Sequence, residues 1–565
     1  MAKKYLIIGG VAGGASVAAR LRRLDEQADI TMLERGRDVS FSNCALPYFL
    51  GGDIESAETL KLMSRQDFWD RYRIRARTRM EALTIDREHR TVRARDLTSG
   101  EEETLLYDDL FLSPGASPIM PPAIPGINLP HVFGVRNVED VERIHLYLEA
   151  NGVYEVAIVG GGFIGLEVME NLHKAGYKVS VADMASQVML PFDPDMAQML
   201  HKEIIDHKVR LLLGDGLQSI EEDGITLASG TRVSAQAVVM AIGVKPETKL
   251  AREAGLTLGE TGAILVDEGM RTSDPHIYAV GDAVQVTHFQ TGKQTRLALA
   301  GPALKQARHA ANIAQGGTGS LPGVLGSSVL RVFGLNAAAT GLNEKQCLKE
   351  ELDYGISFVI PSDRVGIMPD ASPMFFKLLF EKKTGLVLGA QAIGRGSVDK
   401  RIDVISTALR FRATVWDLKD LELTYSPIYS TARDVENVAA LCACNQLDGL
   451  LSQVMFSDLR ALYEQGAYIL DVREADEYAL GHIKGAINIP LSVLRDRLSD
   501  IPRDRPVYVH CRMGQRSYNA ARVLTQSGFQ EVYNVAGAFL ALCWYEYYLD
   551  QTQNREPMVT AYNFE

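Results

Sequence analysis

The chain has 565 residues, too many for one hydrophobic core and enough for about three or four domains. Its 71 acidic and 59 basic residues leave a net charge of −12, which excludes a general nucleic-acid or anionic-membrane binder. Six cysteines without paired framework spacing point to reactive thiols in a reducing, cytoplasmic setting, and no apolar run reaches the roughly 18 residues that membrane insertion needs.

The chain opens with Lys3-Lys4 and an apolar stretch from Tyr5 to Ala19, an arrangement that imitates a signal peptide. Glycines at 9, 10, 13 and 14 break that stretch into a phosphate-loop pattern, so it is read as structure. The β-rich run Tyr5-Leu6-Ile7-Ile8 enters the glycines, an apolar-periodic helix leaves them, and a second strand ends at Glu34. The same sequence of elements recurs from Val156 to Asp183. Two βαβ units of doubly wound sheets are therefore expected.

In the second copy, Gly160-Gly161-Gly162-Phe163-Ile164-Gly165 satisfies G-x-G-x-x-G in full, with Gly160, Gly162 and Gly165 at the glycine positions. Such glycines permit a tight turn and let backbone N–H groups approach a pyrophosphate at a helix N-terminus. Asp183 lies eighteen residues after Gly165, where a carboxylate bonds a ribose hydroxyl and repels a 2′-phosphate. With Met184 and Ala185 next, NADH is expected over NADPH. The first copy, Gly9-Gly10-Val11-Ala12-Gly13-Gly14, carries valine at the middle position. Far downstream, Thr272-Ser273-Asp274-Pro275-His276-Ile277-Tyr278-Ala279-Val280-Gly281-Asp282-Ala283 resembles the second flavin motif of flavoproteins with two dinucleotide-binding domains. The resemblance implies FAD at Gly9, Ala12, Gly14, Glu34, Arg35, Gly281 and Asp282.

Between these motifs stands Cys44, in Ser40-Phe41-Ser42-Asn43-Cys44-Ala45-Leu46-Pro47-Tyr48. Residues 1 to about 440 resemble the pyridine-nucleotide disulfide oxidoreductases, and this segment is similar to their coenzyme A disulfide reductase branch. Ordinary disulfide reductases of the superfamily carry a second cysteine about five residues on, where this chain has Phe49. Cys44 then needs an external thiol or an oxidised sulfur as its partner. Three outcomes are open: a mixed disulfide with coenzyme A, a sulfenic-acid cycle in an NADH oxidase or peroxidase, or an inert thiol. Related peroxidases and oxidases place a histidine in the first glycine loop, at the position of Ala12 here. For coenzyme A, Arg20 and Arg23 lie i, i+3 on the first helix with Arg22 beside them, a grip for nucleotide phosphates. The resemblance adds Ser40 and Asn43, and Lys305 and Arg308 supply further charge. It also implies a homodimer in which Tyr425, of Tyr425-Ser426-Pro427, reaches the partner's site as a catalytic phenol. Where a Tyr-Tyr-Pro run is usual, this chain reads Ile367-Met368-Pro369.

After Cys442-Ala443-Cys444, whose two thiols have no matching metal-ligand pair, a compact α/β pattern resembles a single-domain rhodanese from about Phe456. Asp471-Val472-Arg473-Glu474 and the run from Gly481 to Pro490 match that family's framing motifs. Cys511 opens a short loop of Arg512, Met513, Gly514, Gln515 and Arg516 before a helix expected near Ser517. Successive loop N–H groups form an anion nest, and Arg512 and Arg516 favour thiolate over thiol. The fold class expected is α/β: two Rossmann-like dinucleotide-binding domains for FAD (1–112 and 268–326) and NADH (113–267), an α+β dimerisation domain (327–440), a linker (441–452), a C-terminal α/β rhodanese domain (453–550) and a tail (551–565). No metal is expected. The function expected is NADH-dependent reduction of coenzyme A persulfide, polysulfide or coenzyme A disulfide at Cys44, with Cys511 handling sulfane sulfur. A short tether would raise the local concentration to about the millimolar range. The alternatives are a sulfurtransferase whose flavoprotein half recycles coenzyme A disulfide, an NADH oxidase or peroxidase, and a C-terminal domain that only docks partners.

Overall fold

A computed structural model describes residues 2–564. The chain forms two compact units, one running up to Ser186 and including Leu212–Val324, the other combining Gln187–Leu211 with the chain from Leu325 onward.

In the first unit, strand Lys4–Ile8 pairs in parallel with Asp29–Glu34 and with Asp109–Leu112. Ile277–Ala279 and Arg75–Thr78 complete the five-stranded sheet at its two edges. Tyr5, Leu6, Ile7 and Ile8 are all buried, as a parallel strand covered on both faces requires. Helix Ala12–Leu24 lies against helix Ala300–Ala314 over this sheet. The second copy builds another parallel core from Lys178–Asp183, Glu155–Val159, Ala237–Met240 and Val132–Gly134.

The second unit contains an antiparallel five-stranded sheet in the order Ser328–Val332, Leu335–Gly341, Val387–Gly394, Met374–Glu381, Tyr354–Val359. Helices Val398–Arg410 and Val435–Leu447 contribute to its core. It also contains a parallel sheet in the order Gln453–Met455, Val532–Ala536, Val507–His510, Tyr468–Asp471, Ile487–Asn488. Mixed α/β architecture with parallel sheets in the nucleotide and C-terminal parts matches the fold class expected from sequence.

Two expected boundaries are corrected. Residues 441–447 are the last two turns of helix Val435–Leu447, with Ala443 and Cys444 buried in the core of the antiparallel domain. The connection to the C-terminal sheet shrinks to 448–452, and the N–H groups of Leu450 and Leu451 both bond the Asn445 carbonyl. The last residues are not a free tail either. Helix Ala538–Gln553 overruns the expected boundary, Met558 and Val559 are buried, and Val559 bridges to Ile483. A polar sequence with a proline suggested a tail because the few apolar anchors within it are too sparse to show a period.

The C-terminal domain is held by more than its connection. Helix Pro194–Asp206, an excursion from the second nucleotide domain, packs along Ala538–Gln553. Lys202 Nζ sits in an aromatic cage, 3.8 Å from the ring centre of Phe564, 4.4 Å from Trp544 and 5.4 Å from Tyr547. Buried His201 packs against Tyr548 at 4.8 Å, and Phe358 meets Phe456 at the same distance. Burial drives the His201 imidazole down to about 3, so it is neutral, and its Nε2 accepts from the Val188 N–H. The antiparallel sheet grips the same helix through buried Lys377, whose ammonium lies 2.8 Å from Asp195 and 3.1 Å from Asp193 and also pairs with Glu344. Burial alone would lower the Lys377 pKa, and the three carboxylates hold it above its ordinary value. Those carboxylates converge closely enough to suit a cation, and the cation they hold is Lys377.

Lys202→Ala removes the cation from its cage and is expected to weaken docking of the C-terminal domain by about 1–2 kcal/mol. Faster amide hydrogen exchange in residues 538–553, with residues 4–34 unchanged, is the measurement that checks it.

Candidate functional site

The two glycine loops are built alike, atom for atom at their key contacts. Gly9 and Gly160 have φ of +101° and +116°, which glycine adopts without strain. A Cβ on Gly14 would lie 1.8 Å from the Gly9 carbonyl oxygen, and one on Gly165 would lie 1.9 Å from that of Gly160. The acid ending each second strand then locks its loop. Glu34 accepts from the N–H groups of Gly10 and Gly36, both at 2.7 Å. Asp183 accepts from Gly161 at 2.6 Å and Ala185 at 2.8 Å.

Helices Ala12–Leu24 and Phe163–Lys174 start directly after these loops, and neither has a side-chain N-cap. Their first-turn N–H groups suit a pyrophosphate. Ala12 is the first helical residue of one, and nothing lies within 4 Å of a Cβ placed on Gly162 at the start of the other. The donor sets therefore fit a dinucleotide at both loops. Strand Ile277–Ala279 brings Gly281 and Asp282 to the end of the first sheet, with Gly281 N–H bonded to Gln306 at 2.8 Å. Burial raises the Asp282 carboxyl above its usual range. Arg35 is half exposed and pairs loosely with Glu81 and Glu247.

Cys44 lies in the short 3-10 turn Asn43–Ala45, just before helix Leu46–Leu50. It is exposed, whereas Cys347, Cys444, Cys511 and Cys543 are buried and Cys442 is partly covered. Ser40 holds this segment to the first glycine loop: its N–H bonds the Gly10 carbonyl at 2.9 Å while its φ of +48° lies in the left-handed region. Asn43 Nδ2 donates to the Arg136 carbonyl at 3.2 Å. Desolvation by the surrounding walls, then the charges of Glu167 and Asp282, push the Cys44 thiol above its ordinary value.

Of the three arginines on the first helix, two face outward. Arg20 bonds Asn312 at 2.8 Å, and its charge is opposed first by burial and then by Arg308 and Arg23. Packing of the two helices thus gathers Arg20, Arg23 and Arg308, with exposed Lys305 one turn from Arg308. Arg22 departs from the expected phosphate grip. It is buried and donates to five backbone carbonyls, those of Tyr72, Asp25, Glu26, Ala28 and Arg73. A guanidinium with its donors so committed braces the fold.

Glu167 was missed by the sequence reading. It sits two residues past Gly165 in the first turns of helix Phe163–Lys174, where burial, then Glu170, raise its carboxyl to about 7. The available signal was an acid, with Glu170 one turn on, among Ile164, Leu166, Val168 and Met169.

In the second unit, Tyr425 is 50 % exposed. Its segment meets the Ile367-Met368-Pro369 run through the Val365 N–H, which bonds the Pro427 carbonyl at 3.3 Å, and Ile367 is 89 % exposed. The two positions expected to act together are therefore neighbours, one with a phenol and one without.

Cys511 follows strand Val507–His510 and is only 2 % exposed. Its Sγ accepts from the Gly514 N–H at 3.1 Å and from Ser517 Oγ at 3.5 Å. The helix opens at Gln515, two residues earlier than expected, because Gly514 turns the chain at φ +107°. Beneath the loop, buried Arg473 pairs with Asp471 and lies over Phe539 at 4.2 Å. The expected roles of the loop arginines change. Arg512 is partly buried, its Nη2 enclosed without a partner, and burial pushes its pKa below the ordinary value. Arg516 grips Glu477 through both terminal nitrogens, at 2.5 and 2.7 Å.

Comparison with known proteins follows this division. The family described as pyridine nucleotide-disulphide oxidoreductase matches residues 3–307, its dimerisation domain matches 328–435, and the rhodanese-like domain matches 455–543. A coenzyme A disulfide reductase of Staphylococcus aureus (strain bovine RF122 / ET3-1) is 31% identical over 436 residues, 77% of this chain and 98% of that protein. Among solved structures, reduced Bacillus anthracis CoADR-RHD superposes with a TM-score of 0.93 at 43% identity, covering 97% of this chain and 98% of that one. A NAD-dependent persulfide reductase from A. fulgidus gives 0.90 at 36% identity, covering 95% and 99%. No helix among the described residues is long and apolar enough to cross a membrane.

Glu167→Gln removes a negative neighbour of Cys44 at pH values above about 7, where Glu167 ionises. The midpoint for alkylation of Cys44 by iodoacetamide is expected to move to lower pH, because the thiolate no longer forms against that charge. An unchanged midpoint contradicts the coupling.

Proposed function

Because the chain belongs to the pyridine nucleotide-disulphide oxidoreductase family, we propose that it reduces coenzyme A persulfide, polysulfide or coenzyme A disulfide with NADH, using FAD and the single thiol of Cys44. The observation that carries this reading is Cys44 itself: the one exposed thiol among the described residues, tied through Ser40 to the first glycine loop. The gathered Arg20, Arg23 and Arg308 supply the phosphate-binding charge coenzyme A requires.

The first glycine loop with Glu34 and Asp282 would hold FAD and the second loop NADH, and the pair would supply the two reducing electrons. Asp183, its carboxylate held by two backbone N–H groups, favours a free ribose hydroxyl and so NADH. With a persulfide, the Cys44 thiolate attacks the sulfur attached to coenzyme A. The sulfur–sulfur bond breaks, hydrosulfide leaves, and Cys44 is joined to coenzyme A as a mixed disulfide. Two electrons and one proton then restore the Cys44 thiolate and free the coenzyme A thiol. Burial, then the charges of Glu167 and Asp282, raise the Cys44 pKa, and a cationic or hydrogen-bonding group bound beside it would favour the thiolate. Glu167, poised near neutrality, is placed to hold or release a proton beside it.

The dimerisation-domain match supports a homodimer, in which the exposed Tyr425 donates a hydrogen bond to the departing thiolate. Ile367 in place of a second phenol leaves that site more apolar, which suits a persulfide or polysulfide better than the bulky coenzyme A disulfide. Cys511, with two hydrogen bonds to its sulfur, carries sulfane sulfur. Six unpaired thiols support a reducing compartment, the cytoplasm.

Cys44→Ser is expected to abolish NADH oxidation with every sulfur substrate, whereas Cys511→Ser spares a soluble coenzyme A persulfide and slows protein-bound donors. Steady-state NADH oxidation on coenzyme A persulfide, polysulfide and coenzyme A disulfide reads both, and equal loss in both variants on the soluble persulfide contradicts the division of labour. Denaturing mass spectrometry of the purified protein should release FAD.

A further inference from the structure

The rim of the Cys511 loop carries less free positive charge than its sequence implies. Two arginines flank the cysteine, but Arg512 is partly buried and its Nη2 is enclosed, away from solvent. Arg516 spends both terminal nitrogens on Glu477, whose Oε2 also accepts from the Glu474 N–H at 3.2 Å. Glu477 belongs to the short helix Ala475–Ala479, where reciprocal capping with Glu474 fixes its position. Arg516 occupies the second position of helix Gln515–Gln526, directly after the Cys511 loop, so its pairing ties Glu477 to that loop. What the loop presents outward is Met513, 44 % exposed, and the neutral Gln515.

We propose that Glu477 sets the charge class of the sulfur donor that Cys511 accepts, excluding dianionic oxo-donors such as thiosulfate and admitting thiol-borne persulfides. This deepens the reading of Cys511 as a sulfur carrier and rests on it. Transfer from thiosulfate requires the Cys511 thiolate to attack the outer sulfur while sulfite leaves as a dianion, forming the Cys511 persulfide anion. Two negative charges must be held at the rim throughout, and a guanidinium already forked onto a carboxylate offers them little. Transfer from a protonated persulfide differs. The thiolate attacks the terminal sulfur, the sulfur–sulfur bond breaks, a thiolate leaves, and Cys511 becomes the protonated persulfide. One negative charge is conserved throughout, and the Gly514 N–H and Ser517 hydroxyl are positioned to hold it.

Glu477 acts through Arg516 and is a positioning residue. The test measures sulfur transfer to cyanide from thiosulfate and from glutathione persulfide in the full-length holoenzyme. In Glu477→Gln, kcat/KM for thiosulfate should rise about tenfold, mainly through a lower KM, the size of one charge-assisted hydrogen bond gained. The persulfide value should change less than about threefold, and Glu477→Asp should restore exclusion of thiosulfate. Adding Arg516→Gln to Glu477→Gln should cancel the gain. NADH oxidation on a small persulfide, which does not use Cys511, reports that each variant is folded. An unchanged thiosulfate KM, or parallel changes for both donors, overturns the proposal. Persistence of sulfur transfer to cyanide in Cys511→Ser would instead overturn the carrier reading on which it rests.

Discussion

The close approach of backbone to backbone in the two glycine loops is the constraint on which the nucleotide half depends. A Cβ at Gly14 or Gly165 would fall under 2 Å from a carbonyl oxygen of its own loop, a distance no packing adjustment absorbs. Only with hydrogen in that place can strand, turn and helix follow one another so tightly that the helix N-terminus faces the end of the sheet. Glu34 and Asp183 then use the same geometry, each accepting two backbone N–H groups. The acids expected to read ribose are also the struts that keep their loops in shape. Ser40 extends the arrangement to Cys44, since its N–H reaches the carbonyl of Gly10.

The proposed reducing thiol and the proposed sulfur carrier occupy opposite environments. Cys44 is exposed, yet desolvation by its surroundings and then the charges of Glu167 and Asp282 disfavour its thiolate. Its reactivity is thereby conditional on what binds beside it. Cys511 is covered and hydrogen-bonded by an amide and a hydroxyl, and Arg516 of its loop is committed to Glu477. A covered sulfur whose stabilising groups are in place before any donor arrives suits a persulfide that must survive until transfer.

The C-terminal domain is docked as well as tethered. Lys202 in its cage and Lys377 among three carboxylates pin one helix between the antiparallel sheet and the last helix of the chain. The far end of that last helix reaches the sulfur loop, where the Phe539 and Leu540 N–H groups bond the carbonyls of Cys511 and Arg512. Docking and the shape of the sulfur loop therefore share one rigid element.

Sequence alone determined what depends on local backbone chemistry: the doubled glycine loops, the parallel strands that enter them, the acids that end them, and the two lone cysteines in their separate frames. Glycine spacing and apolar runs state these directly, because the steric reason lies within a few residues. Only the tertiary structure decided which charged side chains remain free. Arg22 looked equal to Arg20 and Arg23 until its guanidinium proved enclosed by carbonyls from residues 25 to 73. Arg512 and Arg516 looked alike until one proved partly buried and the other met Glu477, 39 positions away in the chain. Residues 441–447 and the last residues looked like linker and tail because their anchors are contributed by distant segments. A side chain's direction and its long-range partner are set by packing, which no periodicity within a single segment encodes.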